Sequence, residues 1–116
     1  MNLRVTFSIL CFGIALTSAS AQEKPKATSP EVPAGVKYSP DLVYGTGGDE
    51  KLKIDIARPE KLDKAAPCIL VIHGGAWRGG DKRQHTNIIF QLAQAGYVAA
   101  TAQYRFCPTH RFPAQV

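Results

Sequence analysis

An uninterrupted apolar run, Cys68 to Ile72, is the feature that most constrains how this chain folds. The run is mostly β-branched and stops abruptly at His73-Gly74-Gly75, which predicts a short strand that is apolar on both faces. Strands of this kind lie inside parallel sheets that helices cover on both sides. The run therefore favours an α/β fold.

The segment after this strand has the pattern of a helix followed by a second strand. Asp81 suits the N-cap and Gln84 the third helical position, and Gly96 is a stop signal, so we expect a helix from about Lys82 to Ala95. Tyr97 to Ala102 is again apolar and strand-like. Strand, helix and strand with short links predict a βαβ unit with parallel strands. The predicted apolar helix face comprises Ile88, Ile89, Leu92 and Ala95.

Two earlier segments predict an antiparallel pair at a sheet edge. Leu42–Tyr44 is a short strand candidate, and Gly45–Asp49 is rich in turn residues. Residues 51–56 then alternate strictly, which predicts a strand with one buried and one wet face. The expected buried side is Leu52, Ile54 and Ile56, and the expected wet side is Lys51, Lys53 and Asp55.

The N-terminus reads as a secretory signal over residues 1–21. Arg4 supplies the positive charge, Val5–Leu16 the apolar run, and Ala19 and Ala21 the small residues before a cut after Ala21. Twelve apolar residues are too few to span a bilayer core of about 30 Å, so we expect a secreted or periplasmic product without a membrane anchor. Residues 22–37 are polar and proline-rich and predict a flexible linker, with the folded part beginning near Tyr38.

The distribution of charged, cysteine and histidine residues argues against a nucleic-acid surface, a disulfide bond and a metal site. Loss of Arg4 with the signal lowers the formal charge from +5 to +4, and the remaining basic residues are scattered, so no nucleic-acid surface is expected. Cys68 and Cys107 fall at opposite ends of neighbouring strands, roughly 15–20 Å apart, too far for a disulfide. His85 and His110 lack the spacing of metal ligands, so no metal is expected.

The loop from His73 to Asp81 carries the chemistry. It lies where a predicted parallel strand ends, which is where open α/β sheets place their active sites. Its glycines allow a sharp turn with exposed backbone N–H groups, and such groups stabilise a developing alkoxide during attack on an ester carbonyl. A phosphate-binding loop is excluded, because no Gly-Lys follows Gly74 or Gly75 at the required spacing.

This loop, Ile72–Lys82, resembles the HGG-x-W loop of α/β-hydrolase esterases and lipases. The nearest group is that of carboxylesterases with a feruloyl-esterase-like domain, close to the hormone-sensitive lipases. Gly96–Ala100 with Tyr104-Arg105, and Phe112–Gln115, resemble two further family motifs, so the likeness covers residues 38–116. The resemblance implies the N-terminal part of a three-layer α/β sandwich, with about four strands and one helix. It also implies cofactor-free hydrolysis of small-molecule or carbohydrate-linked esters.

The resemblance also assigns roles within the loop. The N–H groups of Gly75 and Ala76 would form half of an oxyanion hole, with Gly74 shaping the turn. Ala76 stands where many relatives carry a third glycine. His73 would fix the loop rather than act as a base. Independently of the resemblance, an aromatic side chain such as Trp77 is expected to pack beneath the loop, with a substrate platform as the alternative.

The catalytic triad of such esterases has no counterpart in this sequence. There is no G-x-S-x-G, the serines after residue 21 are Ser29 and Ser39, and Cys107 lacks elbow glycines and a base. The serine, acid and histidine are expected beyond Val116. Two hypotheses remain: a truncated esterase, probed by the coding sequence downstream, or a small secreted binding module without catalysis. The resemblance implies that a further strand lies beside residues 68–72, so truncation would leave that strand as an open edge and one sheet face without its helices.

Overall fold

The computed structural model describes residues 29–116; the predicted signal and the first part of the predicted linker lie outside them. The described residues form one four-stranded sheet and one α-helix, as predicted. No helix of this region is long and apolar enough to cross a membrane. The elements in chain order are β1 (Val36–Gly47), β2 (Glu50–Pro59), β3 (Cys68–Val71), a 3-10 turn (Lys82–His85), α1 (Thr86–Gln94) and β4 (Val98–Ala102).

The first two strands form the predicted antiparallel hairpin, with β1 on one edge of the sheet order β1-β2-β4-β3. Strand β1 begins at Val36, six residues before the expected start. The sequence around Pro40 hid this extension, because proline is unusual within strands. An edge strand tolerates it, and the pairing with β2 shifts register between Ser39 and Leu42 to accommodate it.

The helix begins and ends with the expected signals. The Asp81 carboxylate accepts a hydrogen bond of 2.8 Å from the Arg83 N–H, which caps a first turn of 3-10 geometry. Gly96 has a φ of +95°, and its N–H and that of the next residue donate to the carbonyls of Ala93 and Leu92, both at 3.0 Å. This pair of bonds is a Schellman motif, in which glycine relieves the strain of the left-handed residue.

The helix turns a different face to the sheet from the one predicted. Ile88 is 41 % exposed, and of the four predicted face residues only Ile89 is fully buried. Three consecutive apolar residues, Ile88 to Phe90, made two adjacent faces equally plausible. Phe90 packs edge-to-face on Tyr38, with ring centroids 5.0 Å apart, and this contact turns the face that contains Phe90 towards the sheet. The buried face comprises Thr86, Ile89, Phe90 and Ala93.

Strands β3 and β4 are connected through α1 and pair directly with each other in parallel, which confirms the βαβ unit. Strand β3 lies at the edge of the sheet formed by the described residues, opposite β1. Its placement inside a doubly covered sheet is wrong for the described residues, since Leu70 is 54 % and Ile72 57 % exposed. The reason is that α1 covers the opposite face and no described helix covers this one.

The predicted wet face of β2 is also wrong at one residue. Asp55 is fully buried, together with Ala57, whereas Ile54 and Ile56 are only partly buried. The alternation was correct, but α1 packs on the Asp55 side of the strand. At the end of the chain, Phe112–Ala114 form a turn.

Candidate active site

The loop between β3 and the 3-10 turn is built around a tight reversal at Gly75–Arg78. The Arg78 N–H donates to the Gly75 carbonyl at 2.9 Å, and Ala76 and Trp77 have φ values of +51° and +58°. Two positive φ values inside such a hydrogen-bonded turn are the pattern of type I′, which normally takes glycine or asparagine. Non-glycine residues in this region cost on the order of 1 kcal/mol or more each, and such strain clusters at functional sites.

Two glycines make the reversal possible by letting the arms of the loop touch. Gly75 has a φ of +132°, and a Cβ there would overlap the Gly79 carbonyl. Gly80 has a φ of +121°, and a Cβ there would overlap the His73 ring and lie 2.6 Å from the Gly74 carbonyl oxygen. Gly80 is not among the residues predicted to shape the loop. Gly74, which was, has open space around it and a φ outside the left-handed region.

The N–H groups of Gly75 and Ala76 take part in none of the hydrogen bonds found among residues 29–116. Both residues are exposed, at the point where β3 has ended. Neither sheet nor helix bonding therefore occupies these two donors. An unengaged backbone N–H on an exposed turn can donate to a ligand oxygen.

His73 holds the entrance of the loop. Its ring is 2 % exposed, its Nδ1 lies 2.8 Å from the Gly74 carbonyl oxygen, and it stacks on the Tyr104 ring at 4.5 Å. The Tyr104 hydroxyl in turn donates to the His73 carbonyl at 2.8 Å. Because a carbonyl can only accept, Nδ1 carries the proton. Nε2 is buried and has no partner among the described residues. These contacts hold the His73 side chain in one orientation against the backbone of the loop.

Trp77 does not pack beneath the loop, so that expectation is wrong. Its side chain is 65 % exposed and lines a groove of about 610 Å³. Its carbonyl accepts from the Cys107 N–H at 2.7 Å, which ties the loop to the chain beyond β4. The groove is mainly apolar and joins the loop to the uncovered sheet face through Ile54, Leu70, Ile72 and Ala102.

The other candidate side chains do not form a catalytic group in the described region. Ser39 lies within β1, far from any strand-to-helix elbow. The Cys107 sulfur contacts the His110 carbonyl at 3.2 Å and the Gln115 amide at 3.6 Å, and neither group is a base. Residues 29–116 contain no cluster of three or more His, Cys, Asp or Glu side chains suited to a metal ion.

Lys82, the first residue of the 3-10 turn, carries a buried charge. It is 8 % exposed, and its Nζ lies 2.6 Å from the Asp55 Oδ1 and 3.0 Å from the Asp41 Oδ1. Burial would lower the pKa of Lys82, but the two carboxylates outweigh it and raise that pKa. The hydrogen bond from Lys82 lowers the pKa of Asp41. Lys82 is therefore a charged, paired side chain inside the covered face of the sheet.

Asp55 collects three donors. Besides Lys82, the Tyr38 hydroxyl donates to Oδ2 at 3.1 Å and the Asp41 N–H donates to Oδ1 at 2.8 Å. Burial, and then the charge of Asp55, raises the pKa of Tyr38 to about 12, so the phenol stays protonated and continues to donate. The hydrogen-bonding capacity of this fully buried carboxylate is therefore satisfied within the fold.

The BD-FAE family model matches residues 54–116, more than half of the chain. The chain belongs to the BD-FAE family of α/β-hydrolase esterases. Kynurenine formamidase of Drosophila melanogaster is 33 % identical over 67 residues, which are 58 % of this chain and 21 % of that protein. Esterase LipC of Mycobacterium tuberculosis is 32 % identical over 72 residues, 60 % of this chain and 18 % of that protein. The chain thus spans about a fifth of the length of these curated relatives.

Solved structures agree with the BD-FAE assignment. An inhibited esterase B from Lactobacillus rhamnosis superposes with a TM-score of 0.61 at 29 % identity, covering 73 % of this chain and 28 % of that one. The predicted α/β-hydrolase fold is confirmed by this likeness. The BD-FAE match contains both the 73–81 loop and the Asp55–Lys82 ion pair, whereas β1 precedes it.

Proposed function

We propose that residues 73–81 form the oxyanion-binding half of a serine-type carboxylic ester hydrolase. The observation that carries this proposal is the pair of unengaged N–H groups on the strained Gly75–Ala76 turn, at the end of β3 and at the mouth of the groove. A tetrahedral intermediate places negative charge on the former carbonyl oxygen, and two backbone donors lower its free energy. Losing one donor of this kind costs about 2.7–4 kcal/mol of transition-state stabilisation.

The proposed reaction needs a nucleophilic serine on a G-x-S-x-G elbow, a motif that these 116 residues do not contain. A serine on a G-x-S-x-G elbow would attack the ester, and the N–H after that serine would complete the hole. The chain alone then binds the charge but performs no acyl transfer. The substrates would be small or carbohydrate-linked esters, since the relatives include esterases by name and the groove is mainly apolar.

A chimera tests the oxyanion role directly. Residues 36–116 replace the matching 28 % of esterase B from Lactobacillus rhamnosis, which provides the remainder of the fold. The chimera should hydrolyse p-nitrophenyl butyrate, and Gly75→Ala should lower kcat about 100-fold, because its Cβ overlaps the Gly79 carbonyl. Gly45→Ala is the matched control, since Gly45 lies in β1, outside the loop, and a Cβ there meets open space.

Equal activity of the two alanine variants in an active chimera would contradict the proposal. The isolated chain gives a second check with p-nitrophenyl acetate, where no hydrolysis above the buffer rate is expected. Hydrolysis that disappears in Cys107→Ala would show a nucleophile within the chain and overturn the claim that it is inactive alone.

We also propose that the product is exported, which rests on the sequence of residues 1–21 alone. N-terminal sequencing of the protein secreted by a bacterial host should begin at Gln22. A mature protein that retains Met1 would contradict export through a cleaved signal.

A further inference from the structure

The exit of the loop is held by an ion pair in an unusual place. Asp55 is fully buried in the middle of β2, between Ile54 and Ile56 in the sequence, and Lys82 is the first residue of the 3-10 turn that follows the loop. Their charged atoms lie 2.6 Å apart. The Lys82 carbonyl also accepts from the Thr101 hydroxyl of β4 at 3.1 Å. Two adjacent strands therefore fix this one residue, through its side chain and its backbone.

The loop transmits that anchoring back to the turn. Gly80 lies two residues before Lys82 and contacts the His73 ring and the Gly74 carbonyl so closely that no Cβ would fit. A Cβ at Gly75 would likewise overlap the Gly79 carbonyl, so these two residues are also in close backbone contact. Because the two arms of the loop touch at both points, a shift of the exit displaces the turn that carries the unengaged N–H groups.

Stability alone does not account for this pair. Removing two charges from water is costly, and replacing a buried ion pair by apolar residues of similar size is often neutral or stabilising. A charged pair does, however, fix the orientation of its two residues, because its hydrogen bonds are satisfied in only one arrangement.

We propose that Asp55 and Lys82 are positioning residues that aim the Gly75 and Ala76 N–H groups at the ester oxygen. This inference rests on the proposed function of the loop. The pair does not touch the substrate; it acts through Gly79 and Gly80. Displacing catalytic groups by about 1 Å costs on the order of 100-fold in rate, so a small displacement of these two N–H donors has a large effect on the rate.

The first test measures the loop without catalysis, on the 116-residue chain. The double variant Asp55→Leu/Lys82→Met should keep the urea midpoint near that of the original protein. The backbone order parameters of Gly75–Trp77 should nevertheless fall from about 0.85 to below about 0.6 by 15N relaxation. Lys53→Met is the control, because Lys53 also faces Asp41, at 4.0 Å, but its side chain is 46 % exposed.

The isosteric variant Asp55→Asn keeps the test decisive if the double variant does not fold. It retains an acceptor for Tyr38 but weakens the bond to Lys82, so the order parameters should fall by an intermediate amount. Unchanged order parameters in a folded Asp55→Asn protein would overturn the proposal and leave the pair a purely structural role.

The second test uses the esterase B chimera and separates the two proposals. In an active chimera, Asp55→Asn should lower kcat about tenfold with KM within about twofold, because the donors are misplaced only for the transition state. An equal loss from Lys53→Met would contradict positioning. If the chimera is inactive in every form, the proposed function fails, while the relaxation measurements still decide whether the pair orders the loop.

Discussion

The two faces of the sheet are built in opposite ways. The face under α1 is buried through small side chains and an ion pair, and Asp55, Ala57, Ala99 and Thr101 are all fully inaccessible. The other face also holds the buried Ala100 and Ala102, but its larger apolar side chains are open, with Leu70 and Ile72 more than half exposed. Polarity and burial are thus inverted between the faces. The charge pattern of a strand identifies its two sides but does not determine which side a helix covers.

The two faces also differ in the kind of interaction that stabilises them. The covered face is specified by directional bonds that converge on Asp55, and those bonds lead to the loop. The open face is specified only by apolarity, and it continues into the groove beside the loop. A contiguous exposed apolar surface marks a site of contact with another surface or ligand. The two faces should therefore respond very differently to the same change.

The largest expected effect comes from breaking the ion pair of the covered face. Lys82→Met alone leaves the Asp55 carboxylate buried without its cation and should lower the free energy of unfolding by about 3–5 kcal/mol. Urea unfolding followed by circular dichroism measures this. Lys53→Met should change it by less than about 0.5 kcal/mol, since that side chain is largely solvated. A loss of under about 1 kcal/mol for Lys82→Met would show that the pair is dispensable and the faces are less distinct than described.

A matched pair of isoleucines compares the faces themselves. Ile89 is fully buried under the covered face, and Ile72 is 57 % exposed on the open one. Ile89→Ala should cost about 2–5 kcal/mol through lost burial and a cavity, whereas Ile72→Ala should cost less than about 0.5 kcal/mol in this chain. Similar costs would mean that the open face is covered in solution, for example by self-association, and sedimentation of the two variants would then distinguish that case.

Local patterns were enough to predict much of this structure. The apolar runs of β3 and β4, the Asp81 cap and the Gly96 stop lie within short windows, so periodicity and capping rules place them. The loop at His73–Gly75 could also be placed from a short window, because its two glycines predict a turn.

The parts that the sequence did not reveal depend on contacts between distant segments. Asp55 and Lys82 are 27 positions apart, and only the packing of α1 on β2 brings them together in the interior. The need for glycine at position 80 likewise comes from the His73 ring. Trp77 resembled a packing residue because aromatic side chains are usually buried, but the positive φ of the turn directs it outward. No periodicity encodes such contacts.

The smallest expected effect concerns the titration of Tyr38 on the covered face. Its pKa rises to about 12, through burial first and then the charge of Asp55, so the folded state retains a proton that the unfolded chain loses near pH 10. The stabilisation is therefore complete below pH 10 and is lost as the pH rises towards 12. At pH 7, Tyr38→Phe should be less stable by about 1.5 kcal/mol, because it removes a hydrogen bond to a buried carboxylate.

The difference between the original chain and Tyr38→Phe should shrink steadily from pH 10 to 12 in urea titrations. Tyr97→Phe provides the control, since Tyr97 is exposed at the end of the helix and should give a difference that stays near zero. A Tyr38→Phe difference that is constant over this range would mean that Asp55 does not hold the phenol proton. The covered face would then lack the directional network that distinguishes it from the open one.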